Sequence, residues 1–259
     1  MMYLPGRLIF VKPKKVGGST MEFLLSSACS AVDALTPLSV KEDCQRYRLG
    51  HQLPVNVFLS PEDQHAYHEV IRSLCHEEAG ESSDSGPCDK TSRHWKRAAF
   101  LRKRLRVRNH ASLMQVRSFV GEESFRATPL VSICRHPYEL AVSQAYWNLR
   151  KGEAGSLDEA LDAVVSRPHI NLRRYGLHRR WRGAATPFTL ILRLEELEDE
   201  LPRLDSLVGV KLRGELPRLK GDVREDRRPG EAILTHAQKQ AMEQYNRPLF
   251  DLWDNPPRP

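Results

Sequence analysis

The chain is poor in the features that tie a protein to a membrane, a metal or a disulfide framework. No apolar run approaches the ~20 residues that a helix needs to cross a bilayer, so no integral membrane segment is expected. The N-terminus lacks the basic, apolar and small-residue succession of a secretory signal, because the first strand begins almost at once. The five cysteines, Cys29, Cys44, Cys75, Cys88 and Cys134, include no C-x-x-C pair. That removes the commonest zinc spacing, and the odd count leaves at least one thiol outside any disulfide scheme. A Cys75–Cys88 bridge stays open, whereas Cys134 sits in an apolar run and reads as a small core residue. His65, His68 and His76 fall near one helix without cysteine or carboxylate support, so they read as surface histidines and no metal is expected. Internal repeats are also missing, which excludes solenoids and propellers.

What is present is a polar, basic chain of 259 residues with a net charge of +7. That length can bury one substantial core, and a single domain over 1–259 is expected, with a flexible loop at about 79–93 and a frayed tail at 254–259. Excess positive charge favours acidic partners. Charge alone does not choose among nucleic acid, anionic lipid and acidic polysaccharide.

The most informative stretch is Lys12-Pro13-Lys14-Lys15-Val16-Gly17-Gly18-Ser19-Thr20, between the apolar run Leu8–Val11 and a helix carrying Met21, Phe23, Leu24 and Leu25. Strand, glycine loop and helix together present backbone N–H groups and a helix N-terminus to an anion. Gly17 and Gly18 allow a tight turn and close approach. Lys14 or Lys15 adds charge, and Ser19 and Thr20 add hydroxyl donors. The lysines precede the glycines, so the nucleoside-triphosphate pattern G-x-x-x-x-G-K-[ST] fails. An ordinary strand-turn-helix with solvated lysines is the plainer alternative.

A second segment follows the apolar strand Leu130–Cys134. Arg135 leaves its C-terminal end, Pro137 suits a first helical turn, and Ser143 falls about two turns into that helix. Ligands in open α/β sheets gather at that edge. The plainer alternative is a strand-end arginine paired with a carboxylate.

Elsewhere, Val55–Leu59 reads as a strand and Ser60-Pro61 as a helix start. Ser156-Leu157-Asp158-Glu159 has the form of a capping box, Phe188–Leu192 reads as a strand, and a last helix starts at Thr235. Of two basic groups, Lys96–Arg108 reads first as a solvated helix face or a nuclear-localisation-like run, ahead of a glycan contact. The second, Arg173–Arg182, interleaves Tyr175 and Trp181, which suits sugar or base stacking and equally a helix whose aromatics face the core. Alternating short strands and helices imply an α/β layer fold with a mainly parallel sheet.

The loop at 12–20 resembles the 5′-phosphosulfate-binding loop of sulfotransferases, commonly Pro-Lys-Thr-Gly-Gly-Thr-Ser. Arg135 and Ser143 resemble that family's 3′-phosphate segment, an Arg-Asp-Pro strand end with serine eight residues after the arginine. Val16 replaces a threonine, His136 replaces an acid, and Tyr146 follows Ser143 by three positions instead of two. The resemblance implies a three-layer P-loop-like fold, α/β with a mainly parallel central sheet flanked by helices. It also implies transfer of a sulfonyl group from 3′-phosphoadenosine-5′-phosphosulfate (PAPS) to an acceptor hydroxyl, on a carbohydrate. Lys15, Val16, Gly17, Gly18, Ser19 and Thr20 would hold the phosphosulfate, with Lys15 catalytic, and Arg135 and Ser143 the 3′-phosphate. His110 would be the base, with His51 and Glu22 as alternatives. The basic surface would meet an acidic polysaccharide in preference to nucleic acid. Glycan enzymes of this kind work in the Golgi lumen behind an N-terminal anchor, whereas this sequence shows no anchor and fits a soluble or cytoplasmic setting equally. Two other functions stay open: a nucleotide-dependent phosphotransferase, and a non-catalytic polyanion-binding module.

Overall fold

The computed structural model describes residues 1–80, 92–177, 186–209, 212, 224 and 226–259. The loop expected at about 79–93 falls largely outside these residues, as do Cys88 and residues 178–182 of the second basic group. The described residues form an α/β fold with five strands, but strand pairing is mixed instead of mainly parallel. They divide into two compact units, each assembled from separate chain segments.

The first unit comprises Met1–Val11, Ser19–Pro129 and Leu204–Pro217. Strands β1 (Met2–Leu4) and β2 (Leu8–Phe10) pair antiparallel, Met2 opposite Phe10 and Leu4 opposite Leu8. The reason for antiparallel pairing is local. Gly6 adopts φ +69° and the Arg7 N–H bonds the Leu4 carbonyl at 3.0 Å, closing a hairpin too short for any crossover. Strand β3 (Ala34–Leu35) adds antiparallel to β1. The strand expected at Val55–Leu59 reduces to isolated bridges, Leu35 to Val55 and Phe58 to Leu105. Between them Asn56 turns to φ +57° and gives its backbone N–H to the Gln64 side chain, so no ladder can run through.

Helices α1 (Gly18–Leu25), α2 (Val40–Arg48) and α3 (Pro61–Gly80) follow. Ser39 and Glu42 close a capping box on α2. Buried Asp43 accepts from Arg46 at 2.9 Å and from the Tyr67 hydroxyl at 2.6 Å, and Arg46 also reaches the Thr36 and Glu22 carbonyls. Burial pushes Asp43 upward, and these partners are what keep a carboxylate tenable there. Helices α4 (Arg93–Leu101), α5 (Leu113–Val120) and α6 (Glu122–Ala127) complete the unit's described helices up to Pro129.

The second unit comprises Lys12–Gly18, Leu130–Arg203 and Arg218–Pro259. Strand β4 (Leu130–Cys134) is buried at all five positions, the pattern of a strand covered on both faces. It pairs parallel with β5 (Leu190–Arg193), Val131 opposite Leu190. The crossover carries α7 (Pro137–Arg150), α8 (Leu157–Val165) and α9 (Asn171–Arg174). Pro137 opens α7 as expected, and Ser156 caps α8 by accepting the Glu159 N–H. Tyr175, fully buried, donates its hydroxyl to the Ile133 carbonyl at 2.8 Å, pinning the crossover to β4.

Helix α10 (Leu197–Val208) runs from the second unit's segment into the first's. Helices α11 (Gly230–Ile233) and α12 (His236–Asp254) close the second. Helix α12 kinks at Asn246, two residues before Pro248, because proline removes a helical donor. The tail expected to fray is tied down: the Pro257 carbonyl accepts from Ile191 at 3.2 Å and Arg258 pairs with Glu200 at 3.5 Å. Among the described residues no helix is long and apolar enough to cross a membrane.

Candidate functional site

Lys12 and Pro13 enter the glycine loop buried, and Val16 is wholly buried, so Val16 anchors the loop and offers a ligand only its backbone. Lys15 has φ +62° and Gly17 φ +74°, while Val16 and Gly18 keep negative φ. Alternation of hand between neighbouring residues is a feature that anion-binding nests share. A left-handed lysine costs about 1–2 kcal/mol, and strain of this kind gathers at functional sites.

The glycines answer to packing as well. A Cβ on Gly17 would lie 2.4 Å from Leu194 Cδ1, and one on Gly18 would lie 2.6 Å from Lys12 Cγ. Leu194 belongs to the segment just after β5, which the sequence marks only as a strand end.

Two side chains hold the loop's backbone. Asn171, fully buried at the start of α9, accepts the Lys14 N–H at 2.8 Å and donates to the Lys14 carbonyl at 2.8 Å. Its own N–H goes to His169 Nδ1 at 3.1 Å, and the His169 N–H goes to Asn246 Oδ1 at 2.6 Å. A chain of buried polar groups thus runs from the loop to the kink of α12. The second side chain is Arg135, which leaves β4 and donates from Nη1 to the Lys15 carbonyl at 3.5 Å, a long bond. The lysine loop and the strand-end arginine, 120 residues apart, therefore meet within one unit.

Arg135 is not idle otherwise. Its Nη2 lies 3.3 Å from Glu139 and its Nε lies 3.6 Å from Glu195, yet Nε makes no hydrogen bond. Burial raises Glu195, with Arg135 and the His136 N–H working the other way. Burial also opposes the charge of Glu139, but the Gly230 N–H, Arg224 and Arg135 outweigh it and hold Glu139 below its ordinary value. The strand-end pairing named as the plainer alternative is thus present alongside the contact to the loop. Lys15 Nζ lies 4.3 Å over the Trp147 ring, a cation–π contact. Ser143 is half-buried on α7.

The remaining candidates belong to the first unit. Ser19 and Thr20 stand half-buried in the first turn of α1. His110 sits in a turn at φ +65° between α4 and α5. The Arg108 carbonyl, two residues earlier, accepts the Ala111 N–H and closes that turn. His51 contacts Ser26 Oγ through Nδ1 at 3.2 Å and packs on Phe23, and burial lowers its pKa. Glu22 is wholly buried, with Oε1 on the Thr36 hydroxyl and the Met1 amine, so it has no surface to offer an acceptor.

Sequence reasoning missed Asn171, His169 and Trp147. None lies in a motif, and Asn171 acts through hydrogen bonds to a backbone 157 residues away. Comparison with family models, with curated proteins and with solved structures finds no match.

Proposed function

We propose that the chain is a sulfotransferase that uses PAPS to sulfonate an acceptor hydroxyl, on a carbohydrate. The observation that carries this reading is the meeting of Arg135 with the Lys15 carbonyl in a loop whose backbone hand alternates. The residues fit a doubly anionic nucleotide in two respects. The loop alternates in backbone hand at Lys15 and Gly17, and the Arg135 guanidinium, ion-paired with Glu139 and Glu195, stands beside it.

When bound, the donor supplies a sulfonyl group whose bond to the bridging phosphate oxygen breaks as a bond to the acceptor oxygen forms. Lys15 neutralises charge where the 5′-phosphate leaves. The N–H groups from Val16 to Thr20 and the Ser19 and Thr20 hydroxyls orient the phosphosulfate. Arg135 and Ser143 grip the 3′-phosphate, a remote group that contributes orientation. His110 takes the acceptor proton, a task suited to imidazole near neutrality. The three-layer P-loop-like architecture and a Golgi setting belong to the same proposal.

The test is sulfonyl transfer from radiolabelled donor onto a panel of hydroxyl acceptors. Activity that disappears in Lys15→Ala and falls in His110→Ala is expected; an inactive wild type across the panel would reject the reading.

Glu139 and Glu195 favour a second reading, in which Arg135 only locks the loop and the basic chain binds polyanions without chemistry. Binding would then be salt-sensitive and indifferent to Lys15→Ala and Arg135→Ala.

A further inference from the structure

We propose that the cleft formed by α7, α8 and α9 in the second unit binds a small organic anion through a carboxylate, sulfate or phosphate group. The site goes beyond the donor reading, since neither Lys15, Arg135 nor Ser143 lines it. Its volume is about 640 Å³, within the range of small-molecule sites.

His169 carries the inference. It lines the cleft, is only 7% exposed, and its Nδ1 accepts the Asn171 N–H. The proton of the neutral ring is therefore on Nε2, at the opposite corner, and Nε2 is buried without a hydrogen-bond partner. A buried donor left unpaired is costly, and an oxyanion drawn in beside the ring would recover that cost.

Charge around the cleft points the same way. Lys14, Arg167 and Arg173 line it against one carboxylate, Glu153. Burial, then Arg174 and Lys151, lower Lys14, with Glu153 opposing. Burial first, and then Arg174, Lys14 and Arg167, bring His169 down to about 4, so the ring stays a neutral donor near pH 7. The cleft is thus short of negative charge, and one of its wall residues holds a buried donor without a partner. Val164, Ile170 and Leu172 supply apolar wall, which suits an organic body behind the anionic group.

The experiment follows the His169 Nε2–H resonance of the full chain by NMR, assigned through its loss in His169→Gln. Sodium sulfate, then sodium benzoate, is added at constant ionic strength, with sodium chloride as control. A saturable shift is expected with both probes, at lower concentration for benzoate. Arg167 is exposed, so Arg167→Gln should fold normally and weaken both responses roughly tenfold. Lys15→Ala should leave them intact.

No saturable shift, an equal response to chloride, or unchanged affinity in Arg167→Gln would overturn the site. A response to sulfate without benzoate would overturn the organic ligand. Loss of the shift in Lys15→Ala with survival in Arg167→Gln would place the anion on the glycine loop, overturning this site while leaving the donor reading standing. Failed nucleotide binding with the His169 shift intact would overturn the donor reading alone.

Discussion

Replacing Asn171 by alanine removes the clamp on the glycine loop, and its cost can be worked from two bonds. The side chain accepts from the Lys14 N–H and donates to the Lys14 carbonyl, both at 2.8 Å, and is itself wholly buried. Each bond contributes about 1 kcal/mol net, and an orphaned buried partner adds about 1–3 kcal/mol. Lys14 is half-buried, so water can reach part of what is exposed and the lower end applies. The sum is about 2–3 kcal/mol. If the loop opens locally, amide exchange at Lys14 should accelerate roughly thirty- to a hundredfold, since about 1.4 kcal/mol is tenfold. Hydrogen exchange read by mass spectrometry or NMR over residues 12–18 checks this directly. Asn171→Asp should not rescue, because it sets an acceptor against the Lys14 carbonyl where a donor stood. Acceleration below about threefold in the alanine variant would mean that the loop holds itself, contrary to the argument.

Three further outcomes follow from the same geometry. Gly17→Ala forces a side chain into left-handed backbone and against Leu194 Cδ1 at 2.4 Å, at about 2–4 kcal/mol. Adding Leu194→Ala should return the steric part but not the backbone part in thermal melts. His169 is held to about 4 in the fold against an ordinary 6.5, so the unfolded chain binds more protons between those values. Stability from this group is present above pH 6.5 and is lost as pH falls toward 4, by about 3 kcal/mol in all; urea titrations of wild type and His169→Gln from pH 7 to 4 should converge. Glu195→Gln removes a half-exposed carboxylate from Arg135, so affinity for 3′,5′-adenosine bisphosphate should rise about two- to fivefold. No change there would show that the Arg135 charge is not engaged by ligand.

Local chemistry was legible in the sequence where a residue acts on its chain neighbours. Pro137 opening α7, Ser156 capping α8 and Thr235 capping α12 all depend on positions within four residues. The strand Leu130–Cys134 announced itself by composition and is buried throughout. Strand direction was not legible, because the decisive feature is one left-handed glycine, Gly6, in a turn whose sequence suits several connections. Val55–Leu59 has strand composition, but Asn56 spends its N–H on Gln64. The loop lysine and the strand-end arginine were visible as motifs, and they meet at the Lys15 carbonyl. Their supports were hidden: Asn171 and His169 bond across long separations and leave no spacing to read.

Calorimetric titration of the full chain with 3′,5′-adenosine bisphosphate and, separately, with AMP bears most directly on whether loop and arginine grip two ends of one nucleotide. The account expects the bisphosphate to bind at least about tenfold more tightly, with that advantage abolished in Arg135→Ala, because a charge-assisted bond contributes about 1.5–3 kcal/mol. Equal affinities in the wild type, or an advantage that survives Arg135→Ala, would contradict it.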